Sequence, residues 1–148
     1  MTRDKSMIKD LLDELLADEL VTIGRCTLYA HMCENWGYKD LHESLEKGAG
    51  DEMLHAELLI KRIMSLGGEP AVPSLSKMKT AKTIEEIIFN NKEAESASVR
   101  AYNVAIFLAN RIGDKATANV LANLLDMEKE HEKWAKKQLS KVDKKKGK

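Results

Sequence analysis

The chain has 148 residues, long enough for one compact domain with a substantial core, and we expect a single domain over 1–148. Its 24 acidic and 24 basic residues leave no formal net charge, which excludes a whole-molecule bias toward nucleic acid or membrane. No basic segment leads into an apolar signal-like stretch, and no uninterrupted apolar run is long enough for a bilayer, so the expected location is the cytoplasm and no membrane partner is expected.

In chain order, Leu11, Leu12, Leu15, Leu16, Glu19, Ile23, Cys26, Ala30 and Cys33 follow helical periodicity on one face, with Asp10, Asp13, Asp18 and Arg25 assigned to the other. A carboxylate, Glu19, therefore interrupts an apolar stripe. Cys26 and Cys33 are seven residues apart, which on one helix separates their α-carbons by roughly 10.5 Å, beyond disulfide reach. Small buried thiols are the plain reading of the pair, and redox participation the sharper one. Gly37 fits a helix stop, and Asp40 three residues before Glu43 resembles a capping box for the second helix. That helix carries Leu41, Leu45, Ala49, Glu52, Ala56, Leu59, Ile63 and Leu66 before Gly67-Gly68. Here too a Glu lies among apolar residues.

From about Gly67 to Lys82 periodicity is weak and Pro70 and Pro73 intervene, after which Thr83 and Glu86 read as a second capping box. The third stripe is Ile84, Ile88, Glu95, Val99, Tyr102, Ile106 and Ala109, closed by Gly113 with Asp114 as a fresh N-cap. Leu121, Leu124, Leu125, Glu128, His131, Ala135, Leu139 and Val142 mark the fourth helix, followed by a basic tail over about 141–148. No segment alternates with a period of two, so the fold class is all-α. Fully extended, the long connection between helices two and three reaches roughly 50 Å, comparable with a helix of about 28 residues. It can run back along the molecule, predicting an antiparallel four-helix bundle of two hairpins joined by one long crossover.

The chemistry lies in a repeated spacing. Glu19 precedes Glu52-x-x-His55 by 33 residues, Glu95 precedes Glu128-x-x-His131 by the same 33, and the two sets are offset by 76. Glu and His three apart share one helical face, so each pair can offer an oxygen and a nitrogen to one site. One Glu-x-x-His is a weak signal; two, each with an inward Glu at the same distance, are specific. Four carboxylates balance two divalent cations, the arrangement of di-iron and di-manganese carboxylate bundles. His31 and His42 lack the pattern and read as surface or partly buried side chains.

The segments Ala17-Asp18-Glu19-Leu20, Asn35-Trp36-Gly37, Asp51-Glu52-Met53-Leu54-His55-Ala56, Glu93-Ala94-Glu95 and Asp126 to Trp134 resemble the bacterioferritin branch of the ferritin superfamily, from about Lys5 to Leu139. The resemblance implies a di-iron centre bridged by Glu52 and Glu128, with Glu19 and Glu95 as terminal ligands and His55 and His131 each on one iron. It further implies ferroxidase activity with O2 or H2O2 and storage of the mineral in a homo-oligomeric shell, by family expectation of twenty-four subunits, with a smaller shell or a dimer as alternatives. Hard oxygen ligands favour ferric over ferrous iron, consistent with that direction of reaction.

The chain also departs from the family. Met53 matches a methionine that ligates haem b between subunits, but Glu46 and Gly50 stand where bulkier apolar groups are usual, so core or dimer packing is the competing reading. Cys26 replaces a tyrosine near the iron, and Lys47 a histidine that assists iron traffic. Lys141 to Lys148 reads as a solvated basic tail instead of a fifth helix. Such a tail fits weak DNA contact of the Dps type, although Dps proteins place iron ligands between subunits. A rubrerythrin-like peroxide reductase is a further alternative, without the Cys-x-x-Cys module common there, and a hydroxylase would need an organic substrate pocket.

Overall fold

A computed structural model describes residues 2–71 and 78–146. Four helices account for the fold: α1 (Arg3–Asn35), α2 (Lys39–Ser65), α3 (Ile84–Arg111) and α4 (Lys115–Lys146). There is no strand among the described residues. The Thr2 hydroxyl caps α1 by accepting from the Lys5 amide, and Thr83 caps α3 by accepting from Glu86 N. Asp114 does the same for α4, accepting from the Thr117 amide at 3.0 Å. Gly37, Gly67 and Gly113 adopt φ of 87°, 82° and 80°, left-handed geometry that ends a helix with little strain only at glycine.

Two capping details differ from expectation. Helix α2 opens at Lys39 with Tyr38 as its N-cap and no side-chain cap bond, so Asp40 lies in the first turn, where its charge faces the positive end of the helix dipole. At α3 the Glu86 carboxylate reaches the Lys82 amide, one residue before Thr83. Residues 141–146 of the expected tail continue α4 as helix. Pro73 and Lys148 lie outside the described residues.

Helices α1 and α2 form one antiparallel hairpin and α3 and α4 the other, with α1 against α3 and α2 against α4 between them. The chain leaves α2 at one end of the bundle and enters α3 at the other, so the expected crossover along its length is present. Asp13 Oδ1 accepts from the Ala71 amide at 3.2 Å near one end, and the Tyr29 hydroxyl donates to Lys79 O at 2.7 Å near the other. Gly24 leaves room for the strap: a Cβ there would sit 2.5 Å from Met78 Cε.

Apolar packing forms two clusters. One gathers Ile8, Leu12, Leu16, Leu59, Ile63 and Leu121; the other, toward the α1–α2 turn, gathers Tyr29, Cys33, Leu45 and Ile87 with Trp134 against it. Each fully buried Leu or Ile stabilises the fold by about 1.5–3 kcal/mol. On α2, α3 and α4 the break between the clusters falls where the sequence places Glu or Glu-x-x-His, and on α1 Glu19 lies just before it, so the polar residues form a layer across the bundle. Arg25 corrects the sequence reading: it is buried in this layer, not turned outward, because Glu95 and Asn91 of α3 give its guanidinium partners. Met53 is 54% exposed on α2, which removes core packing as its role. No described helix is long and apolar enough to cross a membrane.

Candidate metal centre

All six residues with the repeated spacing converge. Helix α1 contributes Glu19, α2 Glu52 and His55, α3 Glu95, and α4 Glu128 and His131; the four carboxylates and His55 are buried and His131 is partly so. Their ligand atoms fall into two groups, Glu19, Glu52, His55 and Glu128 in one and Glu52, Glu95, Glu128 and His131 in the other, each within 4.8 Å of one another. Glu52 and Glu128 belong to both. The backbone explains the sharing, since an i, i+3 pair on each of α2 and α4 points two donors inward from facing helices.

Both imidazoles turn Nδ1 into the cluster. His55 Nδ1 is 2.9 Å from Glu128 Oε1, 3.2 Å from Glu52 Oε2 and 3.6 Å from Glu19 Oε1. His131 Nδ1 is 2.9 Å from Glu52 Oε1, 3.7 Å from Glu128 Oε2 and 3.8 Å from Glu95 Oε2. The rings stack with centroids 6.3 Å apart. Outward, His131 Nε2 meets Asp51 Oδ2 at 3.0 Å, whereas His55 Nε2 meets Met127 Sδ at 3.1 Å. An outer partner on the second nitrogen fixes ring orientation and leaves the first for a metal.

The electrostatics are those of crowded acid groups held together by protons. Burial, then repulsion from Glu128 and Glu52, pushes Glu95 up to about 8 despite nearby His131 and Arg25. Burial opposes charge on the imidazoles, but hydrogen bonds to Glu128 and Glu52 win and raise His55 to about 9 and His131 to about 11. Glu128 moves the other way: burial would raise it, yet hydrogen bonds from His131 and His55 hold it well below the carboxylate range. The buried oxygens Glu95 Oε2 and Glu128 Oε2 have no hydrogen-bond partner, and Glu52 Oε2 has only the His55 Nδ1 shared with Glu128. Unsatisfied buried acceptors are costly, and cations among them would satisfy all three. The donor set therefore fits a pair of oxygen- and nitrogen-ligated divalent ions.

Several neighbours escaped the sequence reading. The Tyr102 hydroxyl donates to Glu19 Oε1 at 2.6 Å, and the Arg25 guanidinium lies 3.7 Å from Glu95 Oε1 and 3.4 Å from Asn91 Oδ1. Tyr102 stands seven residues after Glu95 on the same face, a spacing that could have flagged it; Arg25 carried no comparable signal. A cavity of about 210 Å³ borders the His131 side, lined in part by Cys26, Asp51, Asn91, Glu95, His131 and Trp134. Both cysteines are free and buried; burial raises Cys26 and takes Cys33 up to about 11, so both remain thiols at neutral pH.

The chain matches the ferritin-like domain over residues 9–145. It is 31% identical over 134 residues to a bacterioferritin of Mycolicibacterium paratuberculosis, covering 90% of this chain and 84% of that one. It is 26% identical over 143 residues to a bacterial ferritin of Synechocystis, covering 96% and 92%, and 28% identical over 127 residues to a bacterioferritin of Desulfovibrio desulfuricans, covering 86% and 71%.

Proposed function

The chain belongs to the ferritin-like family, with bacterioferritins among its relatives, and on that premise we propose that it takes up Fe(II), oxidises it to Fe(III) and stores the product in an oligomeric shell. The observation that carries this reading is the pair of overlapping ligand groups sharing Glu52 and Glu128. Two Fe(II) ions supply one electron each, and with two protons these reduce O2 to H2O2 or H2O2 to water.

The protein's part is to hold the two ions side by side and exclude competing chemistry. Glu52 and Glu128 are the shared carboxylates, Glu19 and Glu95 the terminal ones, and His55 and His131 each supply Nδ1 to one position. Oxygen-rich ligation favours the ferric product. Protons held in the absence of metal by Glu95, His55 and His131 leave as the ions enter. Tyr102 holds Glu19 by its 2.6 Å hydrogen bond, and the cavity that reaches His131 and Glu95 offers ions a way in on that side.

Haem fits less well. Met53 offers one exposed thioether, but Gly50 supplies no side chain and Glu46 a carboxylate engaged by His42 at 3.0 Å, so neither gives the apolar wall a porphyrin needs.

Glu19→Ala and His131→Ala should each abolish rapid Fe(II) oxidation followed by absorbance, with helix content by circular dichroism retained. Undiminished rates in both variants would overturn the assignment. Electron microscopy tests the storage half: iron-filled hollow shells are expected, and discrete dimers after iron loading would refute it.

A further inference from the structure

A second set of metal-ligating side chains lies outside the bundle core, where α1 turns into α2. His31 and Glu34 are one turn apart near the end of α1, and His42 and Glu46 one turn apart near the start of α2. Ligand atoms of His31, Glu34 and His42 lie within 4.8 Å of one another. Glu46 Oε2 is 3.0 Å from His42 Nε2, and Glu34 Oε2 is 3.4 Å from the same nitrogen and 3.7 Å from His31 Nδ1. The two rings are 5.8 Å apart, centroid to centroid.

His42 is pre-oriented. Its Nδ1 is 2.8 Å from the Ala30 carbonyl oxygen, which can only accept, so Nδ1 carries a proton and in the neutral ring Nε2 presents its lone pair. A backbone carbonyl behind one nitrogen is the usual support of a metal-ligating histidine. The same Nε2 faces two carboxylates from different helices. A single proton there satisfies one of them well, whereas a multiply coordinated cation accommodates both carboxylates and the second imidazole.

We propose that His31, Glu34, His42 and Glu46 form a surface site for one divalent transition-metal ion, separate from the buried pair. Two imidazole nitrogens and two carboxylate oxygens suit borderline ions such as Zn2+ or Fe2+, and the two carboxylates balance the charge. His31, Glu34 and Glu46 are exposed and free to adjust, while His42 stays anchored. The ion bridges α1 and α2 across their short turn.

Equilibrium dialysis of the full-length wild-type protein against Zn2+ at neutral pH, with zinc counted per chain, tests this. His31→Ala and Glu34→Gln, both at exposed positions, should each remove one Zn2+ per chain or weaken that ion's binding at least about tenfold, leaving the more tightly held zinc unchanged. The double variant His31→Ala/His42→Ala should bind one Zn2+ fewer even at saturating zinc. The same stoichiometry and affinity in wild type and in the folded single variants would overturn the proposal, as would a loss confined to the tight class.

Discussion

The α1–α2 and α3–α4 hairpins carry the same ligand pattern 76 residues apart and surround it differently. Seven residues after Glu95 stands Tyr102, which reaches across to Glu19; seven after Glu19 stands Cys26, too short to return the contact, and Arg25 approaches Glu95 instead. The residue before Glu52 is Asp51, which backs His131; the residue before Glu128 is Met127, which backs His55. One position, with Glu19 and His55, is thus enclosed and held by a phenol and a thioether. The other, with Glu95 and His131, borders a cavity and is tuned by a guanidinium and a carboxylate. On the proposed reading the repeat sets which atoms face the metal positions, while neighbours without internal counterparts make the two positions electrostatically unequal.

The largest effect should separate shared from unshared ligands. Glu52→Ala or Glu128→Ala removes a donor from both groups, so oxidation should fall by about two orders of magnitude or more and paired binding should be lost. Glu19→Ala or Glu95→Ala removes a donor from one group only, and one ion per chain should remain by metal analysis after dialysis. Rapid oxidation needs both ions and is lost in all four variants, so the bound metal makes the distinction: equal losses of bound ions in all four would contradict the division into shared and private ligands.

In metal-free protein, Glu95 titrates near 8 against an ordinary 4.5, and His55 and His131 near 9 and 11 against 6.5. All three hold protons more tightly folded than unfolded, so stability is lost as pH rises, from about 4.5 through 11, by an amount on the order of a few kcal/mol. Glu128, shifted down, acts oppositely and only in acid, where stability falls as it is protonated. Metal binding needs the deprotonated ligands, so the metal-induced rise in melting temperature should grow between pH 5.5 and 8.5. At pH 7, uptake should release about three protons per chain into weak buffer; release of none would mean that the site is already deprotonated.

Much of this was legible in the sequence because helical periodicity and the 33-residue spacing are local, repeated signals. Glu19 and Glu95 declared themselves by interrupting apolar stripes, and Gly37 and Gly113 by their conformational role. Arg25 was misplaced because periodicity assigns a charged residue outward by default, while its burial depends on Glu95 and Asn91 from a helix 66 or more residues away. Asp40 failed as a cap because the chain enters α2 two residues earlier, with Tyr38 as the N-cap. Met127 behind His55 is likewise a tertiary contact between α4 and α2, invisible until the helices are packed.

Arg25→Met probes the position that borders the cavity. Its guanidinium opposes the forces that keep Glu95 protonated, so without it the carboxyl holds its proton to higher pH. The pH midpoint of metal binding should move up by about one unit, with the effect confined to the Glu95–His131 position and helix content unchanged. An unmoved midpoint would mean that Arg25 only fills space there.

Tyr102→Phe should give the smallest effect on metal binding, on the enclosed side. It deletes the phenol donor to Glu19 and retains the ring that fills the core, so the loss is that of one hydrogen bond to a charged acceptor, about 1.5–3 kcal/mol when left unreplaced. A bound ion can itself satisfy Glu19, which reduces the loss once metal is present. Melting temperature should therefore drop more in the metal-free protein than in the zinc-loaded one, with metal affinity at the Glu19–His55 position weakened by about tenfold or less. A larger drop in the loaded protein would show that Tyr102 supports the bound state instead, by holding Glu19 in its ligating rotamer, and would make the enclosed position the more finely arranged of the two.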